Sequence, residues 1–395
     1  MLFFIFAAMK ITKLFKDFLE SEKIGGFLLI LCTIISLIFA NSIFSSEYIH
    51  IWHNDIGGKP LEYWINDGLM AIFFLLIGLE LEREIYIGEL SNFKKASLPI
   101  FAAIGGMIVP AALYLFLNYG TETQSGAGIP MATDIAFALG ILSLLGNKVP
   151  TSLKVFLTAL AVIDDLGAIL VIAIFYTKDL DFFNLSIALG IFGFLLILNR
   201  LKVRNLIPYL VLGVFMWYFM LNSGVHATIT GVLLAFAIPF GNGDKKSTSY
   251  LLQNALHKPV TWIILPLFAL ANTAITINSD WHYALTHHYT IGIALGLIVG
   301  KPIGISLFSY LSVKNKFCKL PEDLNWKTII GVSFLGGIGF TMSIFITLLA
   351  FSDSEHITNS KIMILVSSII AALIGLLYLK STLKKDCLED VLNDD

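Results

Sequence analysis

LTALAVIDDLGAILVIAIF (157–175) decides how this chain folds. The run is apolar and long enough to cross a bilayer as a helix, which takes about 17–25 residues. Two adjacent acids, Asp164 and Asp165, stand at its middle. A charge at that depth costs several kcal/mol, roughly 3 on insertion scales, so it turns toward protein rather than lipid. Side chains at neighbouring positions of a helix point about 100° apart. The two acids therefore cannot present the same face to one cavity: one can ligate an ion while the other meets a different partner. The bland alternative is two buried acids satisfied by helix–helix hydrogen bonds.

The rest of the chain has the same character. Its 395 residues are 57% hydrophobic and 14% charged, with mean hydropathy +0.82. A soluble domain carries about 45–50% apolar and about 25% charged residues. The excess lies in continuous runs, not in the short alternating segments of an outer-membrane barrel. In lipid each backbone N–H and C=O must bond internally, so these runs are helices. Twelve spans are expected, near 24–43, 66–87, 97–117, 125–146, 150–176, 183–199, 206–221, 225–240, 250–275, 290–311, 328–350 and 360–380. The fold class is thus an all-α polytopic membrane protein, one transmembrane domain over 1–395. A segment 1–23 leads it and a tail 381–395 ends it.

Positive charge orients the bundle. With the N-terminus in the cytoplasm, the outer segments keep only Lys59, Lys178 and Lys361, and both termini face inward. Residues 1–8 have no basic n-region and read as an extension upstream of Met9, not as a signal peptide. The net charge of -2 offers no basic field for nucleic acid. Cys32, Cys318 and Cys387 are widely spaced and odd in number, which fits free thiols better than a disulfide framework or metal motif. In the outer segment 45–66, EYIHIWHNDIGGKPLEYWIN (47–66) sets aromatic and β-branched runs around Gly57–Gly58, a β-hairpin signal. Its edge suits pairing with a second copy, or the hairpin caps its own subunit.

Three further anomalies lie inside spans. Asp134, in GIPMATDIAFALGIL (128–142), follows Thr133 and is bracketed by Pro130 and Gly140. Residues that loosen a helix at membrane depth are tolerated where they line a cavity. Lys301, in IGIALGLIVGKPIGISLFSY (291–310), has no room to snorkel and needs an acid partner, with Asp164 and Asp165 the candidates. It acts in exchange or serves as a structural counter-ion. Gly336, Gly337 and Gly339 unwind the helix in GVSFLGGIGFTMSIFI (331–346), or allow close packing. Paired interrupted helices in the two halves of a chain point to a transporter's binding site. Two weaker signals remain. Glu80, Glu82 and Glu84 stand near the inner end of the second span, either attracting cations and sensing pH or simply solvated. His226 lies at the outer end of a short span, as a switch or a structural residue.

A small hard cation such as Na+ or Li+ wants oxygen ligands, which Asp165, Asp134, Thr133 and unwound carbonyls supply. Burial favours the protonated acid and a nearby lysine the ionised one. Protons and Na+ then compete for the same carboxylates, and competition alone yields exchange if only the loaded site reorients.

The chain resembles the NhaA-type Na+/H+ antiporters from about Met9 to its last span. The motifs that carry the resemblance are FFLLIGLELERE (73–84), PMATDIAFALG (130–140), AVIDDLGAI (161–169), SGVHATITGV (223–232), LPLFALANT (265–273), GKPIGI (300–305) and GGIGFTMSIFI (336–346). The resemblance implies a transporter, not an enzyme, of a bacterial inner membrane, with twelve helices and two inverted-topology repeats whose broken helices cross. It implies Asp165 as cation ligand with Asp164 beside it, Lys301 paired to Asp164, and Asp134 and Lys301 compensating helix ends. It implies electrogenic exchange of two protons inward per Na+ or Li+ outward, activated at alkaline pH, serving Na+ and pH homeostasis, with no cofactor. It implies a homodimer through the 45–66 hairpin and pH sensing around Glu80, Glu84, His226 and His257. Two positions depart from the pattern: Gln253 stands where a glutamate is expected, and Glu82 is an extra acid. A Na+-coupled symporter of an organic anion is the alternative and calls for a roomier polar site. An intramembrane aspartyl protease needs aspartates on separate helices, which adjacent Asp164 and Asp165 do not give, and a passive channel would not pump against a gradient.

Overall fold

A backbone in lipid must satisfy its own N–H and C=O groups, and most of the described residues are helical. The computed structural model describes residues 13–91, 93–177, 180–277, 282 and 285–393. The expected extension 1–8 and Lys178 lie outside them. Helix α1 runs Lys13–Ala40 and turns sharply into α2, Ser45–His53. After a short ladder come α3 (Leu61–Tyr86) and α4 (Phe93–Asn118). A 3-10 helix, Glu122–Met131, then leads to α5 (Ile135–Ser143). Helices α6 (Thr151–Phe175), α7 (Phe182–Arg200), α8 (Leu206–Leu221) and α9 (Ile229–Ala237) follow. Next are α10 (Thr248–Pro259), α11 (Leu265–Asn272) and α12 (His288–Lys314). The chain ends with α13 (Trp326–Gly336), α14 (Phe340–Ala350) and α15 (Ser354–Asn393). Among the described residues six helices are long and apolar enough to cross a membrane, or nine spans if each of three bent pairs counts once. Two of these bends lie at the anomalies seen in the sequence: 41° between Glu122–Met131 and α5, and 46° between α13 and α14.

The hairpin is much smaller than expected. Only Asp55–Ile56 and Lys59–Pro60 pair, antiparallel, around Gly57 and Gly58 at φ +67° and +86°. Both glycines occupy the left-handed region that a two-residue hairpin turn requires. The flanks are helical instead of extended. Tyr48 and Trp52, four apart, share one helix face and meet edge-on at 5.8 Å. The Tyr48 hydroxyl reaches Ser36 Oγ at 2.9 Å, on the neighbouring helix. Packing against α1 thus overrides the local preference of aromatic and β-branched residues for strands. Lys361 also departs from expectation: it lies within α15, not in an outer loop.

A stripe of glycines sets the position of α12. Gly292, Gly296, Gly300 and Gly304 recur every fourth residue. A Cβ on Gly304 would stand 2.1 Å from the Gly105 carbonyl oxygen, and one on Gly105 2.2 Å from that of Gly304. Small residues allow such backbone contact in a membrane, where burial against lipid supplies little drive. The seam fixes α12 against α4 and so fixes the depth of Lys301. Helix α12 also widens into a π turn at Gly296–Gly300, as the chain does at Val260–Ile264 between α10 and α11. In both cases a proline stands two residues past the π turn, Pro302 and Pro266. Proline has no N–H and crowds the carbonyl four residues back, and here that carbonyl lies inside the widened turn.

Overpacking a tight core costs about 1–3 kcal/mol. Gly304→Ala is therefore expected to lower the thermal midpoint of the detergent-solubilised protein. Gly190→Ala, where a Cβ meets nothing within 4 Å, should leave it unchanged. Scanning fluorimetry of the pair checks this.

Candidate functional site

The bent pairs Glu122–Met131 with α5 and α13 with α14 leave helix ends inside the bundle, and the site is built from the groups that satisfy them. The chain is extended at Ala132–Asp134 between Met131 and α5, and Asp134 N donates to Ile338 O at 2.7 Å in the other break. The Asp134 carboxylate serves two helix starts at once. Its Oδ1 accepts from Phe137 N at 2.9 Å, the N-cap of α5. Its Oδ2 accepts from Thr341 N at 3.0 Å and from the Thr341 hydroxyl at 2.5 Å, in the first turn of α14. A carboxylate at a helix N-terminus satisfies orphan amides and meets the positive end of the helix dipole.

The opposite ends carry positive and hydroxyl groups. Lys301 Nζ forms an ion pair with Asp164 Oδ2 and donates to Thr133 Oγ1 at 2.5 Å. Thr133 Oγ1 lies 2.7 Å from Asp164 Oδ2 and 2.8 Å from the carbonyl of Gly336, the last residue of α13. A hydroxyl has a single proton, so these two oxygens share it. The lysine charge thereby reaches the negative end of α13 through Thr133. In the other break, Ser343 Oγ donates to Ile129 O at 2.7 Å.

Asp165 faces elsewhere, as helix geometry requires. It lines a cavity of ≈ 20 Å³ with Asp134, Glu80, Thr341, Thr261 and Met342. That volume holds about one water-sized body. Asp165 Oδ1 and Asp164 Oδ1 are buried with no hydrogen-bond partner. An unsatisfied buried group costs about 1–3 kcal/mol, more if charged, so the pair is poised for something small and positive. Asp134, Asp164, Asp165, Thr133 and Lys301 are all buried. Of the expected ligands, Asp165 and Asp134 stand on the cavity wall; Thr133 and Asp164 belong to the lysine side.

The outlying candidates divide into two places. Glu80 lines the cavity, and its Oε1 lies 3.8 Å from His257 Nδ1. Glu82 is buried with Oε2 unpartnered, and Glu84 is half-buried. Glu80 and Glu82 are therefore not a solvated helix end. His226 is not brought to Asp165. Its Nδ1 meets Thr228 Oγ1 at 2.8 Å and its Nε2 lies 3.4 Å from Asp67, on a second cavity. Cys32 and Cys318 are buried free thiols. Thr341, Ser343 and Asp67 were not singled out from the sequence. Thr341 and Ser343 follow directly on the Gly336–Gly339 break, and a hydroxyl placed there is the signal that would have found them.

The chain is similar over most of its length to known proteins. The family model for Na+/H+ antiporter 1 matches residues 16–379. The chain is 71% identical over 382 residues to the Na(+)/H(+) antiporter NhaA of Flavobacterium psychrophilum, covering 97% of this chain and 100% of the relative. It is 66% identical over 372 residues to Na(+)/H(+) antiporter NhaA 1 of Flavobacterium johnsoniae, covering 94% and 98%. It is 65% identical over 377 residues to the corresponding protein of Cytophaga hutchinsonii, covering 95% and 97%. With the family model matched over nearly its whole length, the chain belongs to the Na+/H+ antiporter 1 family.

Proposed function

We propose that the protein exchanges Na+ or Li+ for protons at Asp165, across a bacterial inner membrane with both termini in the cytoplasm. The observation that carries this is the division of the acid pair. Asp164 is neutralised by Lys301, while Asp165 keeps an unpartnered oxygen and lines a cavity of one-ion size. Oxygen donors from Asp165, Asp134 and Thr341 suit a hard monovalent cation, and a proton is its natural competitor for the same carboxylate. Organic-anion symport fits poorly, because ≈ 20 Å³ admits no such solute and three acids line the wall.

The finer reading follows from the same groups. Asp165 and the Lys301–Asp164 pair give two protonatable places, in keeping with two protons per cation and electrogenic transport. Glu80 with His257 on the cavity, and Glu84 and His226 beyond it, are the proposed pH-responsive groups. The helices comprise twelve spans if α1, α8, α9 and the α10–α11 segment each cross. The two bent pairs then belong to inverted repeats whose broken helices cross at Asp134 and Thr133. A second copy is proposed to pair through residues 45–66, around the short ladder at 55–60.

Everted vesicles test this directly. Asp165→Asn keeps the shape but lacks the charge, and is expected to lose at least about tenfold of the Na+-driven ΔpH, or ~1.4 kcal/mol in the barrier. Normal exchange by this variant would refute the assignment. Lys301→Ala leaves Asp164 as an uncompensated buried charge, and breaking such a pair costs about 3–5 kcal/mol; a large fall in thermal midpoint is expected along with lost exchange. Thr341→Val removes the hydroxyl bond to Asp134 but keeps the amide bond. Hydrogen bonds to charged groups contribute about 1.5–3 kcal/mol, so a smaller drop in midpoint is expected, read by the same fluorimetry.

A further inference from the structure

The membrane-spanning part holds a second, half-buried lysine that the exchange site does not use. Lys361 Nζ donates to Asn272 Oδ1 at 3.3 Å, from α15 to the last residue of α11. Asn272 Nδ2 donates onward to Asn66 Oδ1 at 2.7 Å, in α3, and to Phe268 O at 3.0 Å. Asn272 is 2% exposed. Its amide offers two donor protons and one acceptor oxygen, and all are engaged. A polar chain centred on a fully satisfied buried amide holds its members in place in an apolar setting. Here it joins three spans: 61–86, 248–272 and 354–383.

What lies under this chain gives it a purpose. A cavity of ≈ 250 Å³ is bounded by Glu62, Asn66, Asp67, His226, Phe345 and Leu348. Helix α14 lines both cavities with one face. Thr341 and Met342 border the one that holds Asp165; Phe345 and Leu348, one and two turns on, border the second. Phe345 follows Met342 by less than one turn and lines the second cavity. Its ring meets Phe74 at 5.4 Å, Phe268 at 6.4 Å and His226 at 5.5 Å. Phe268 is one helical turn before Asn272 on α11, so the amide chain anchors one wall of this aromatic septum.

We propose that Lys361 is the positioning residue of a latch: through Asn272 and Asn66 it pins the three spans over the Phe345 septum and keeps the two cavities apart. The latch rests on the exchange reading above, in which the Asp165 cavity must open to one side at a time. Releasing it lets Phe268 and Phe345 separate, and the Asp165 cavity then becomes reachable from the hairpin side.

Cysteine accessibility tests this in the full chain with Cys32, Cys318 and Cys387 replaced by alanine. A charged, membrane-impermeant methanethiosulfonate is applied from the hairpin side of oriented vesicles. Leu348→Cys should label, and Met342→Cys should not. Adding Lys361→Met or, as a second variant, Asn272→Ala should speed labelling of Met342→Cys at least tenfold. Lys361→Arg should restore the slow rate. Ala371→Cys, buried in α15, should stay unlabelled throughout, which separates opening from unfolding. An unchanged Met342→Cys rate in both latch variants would overturn the proposal, as would an unlabelled Leu348→Cys or labelling of Ala371→Cys alongside Met342→Cys. Na+-driven ΔpH by the parent is measured in parallel. Its absence would count against the exchange reading, while the labelling rates still decide on the latch.

Discussion

A helix interrupted inside a membrane exposes amides at one end and carbonyls at the other, with no water to satisfy them. This protein makes two such interruptions next to each other, and most of the core serves them. Asp134 takes the amides of both helix starts. Thr133, backed by Lys301, takes the end of α13, and Ser343 takes the carbonyl of Ile129. Once these groups are in place, the charges of the site follow. An acid is needed at the amide ends, a cation suits the carbonyl end, and a second acid must neutralise that cation. Asp164 is the acid that does so.

The adjacency of Asp164 and Asp165 is then the simplest way to put an unengaged carboxylate beside a neutral pair. One helix turns its two neighbours through about 100°, so rigidity of α6 alone separates the roles. Asp164 is held by Lys301 and Thr133, while Asp165 projects to the cavity that Asp134 and Glu80 share. The depth of the lysine depends in turn on the backbone contact between Gly105 and Gly304. The Asp165 cavity is thus held by packed helices, not by loops.

Much of this was legible in the sequence because it violated the rules for lipid. Asp134, Asp164, Asp165 and Lys301 each cost too much to be accidental, and the glycines at 336–339 marked a break that the structure shows. From the residues alone the roles within the acid pair are legible only as a divergence of direction, and the Lys301–Asp164 pairing comes from the family resemblance, because which acid meets the lysine depends on tertiary placement. The sequence offers Thr133 as a cation ligand, while its partners in the fold, Lys301 and Gly336, lie far along the chain and are not legible from local sequence. The sequence suggests a longer hairpin than forms, because alternation and i, i+4 spacing overlap in a seven-residue run such as EYIHIWH. The glycine stripe on α12 was present in plain view at fourfold spacing, yet its meaning needs the partner helix. Lys361 read as a loop charge because it lies close to the end of its span.

Asp134 connects the site to the helix breaks in a way that bears on how occupancy changes conformation. The same carboxylate caps α5 and α14 and lines the Asp165 cavity. In the proposed exchange, a cation bound beside it draws on oxygen lone pairs that also hold the Thr341 amide and hydroxyl. A proton on Asp165 makes no such demand. The two cargoes therefore differ in how strongly they engage the ends of α5 and α14, and a ligand shifts a conformational equilibrium only through such a difference. Helix α14 reaches from that contact, through Phe345, to the second cavity. Any small rotation that follows a change at Thr341 is carried along a rigid helix to Phe345, one turn away, and to the septum that separates the two cavities.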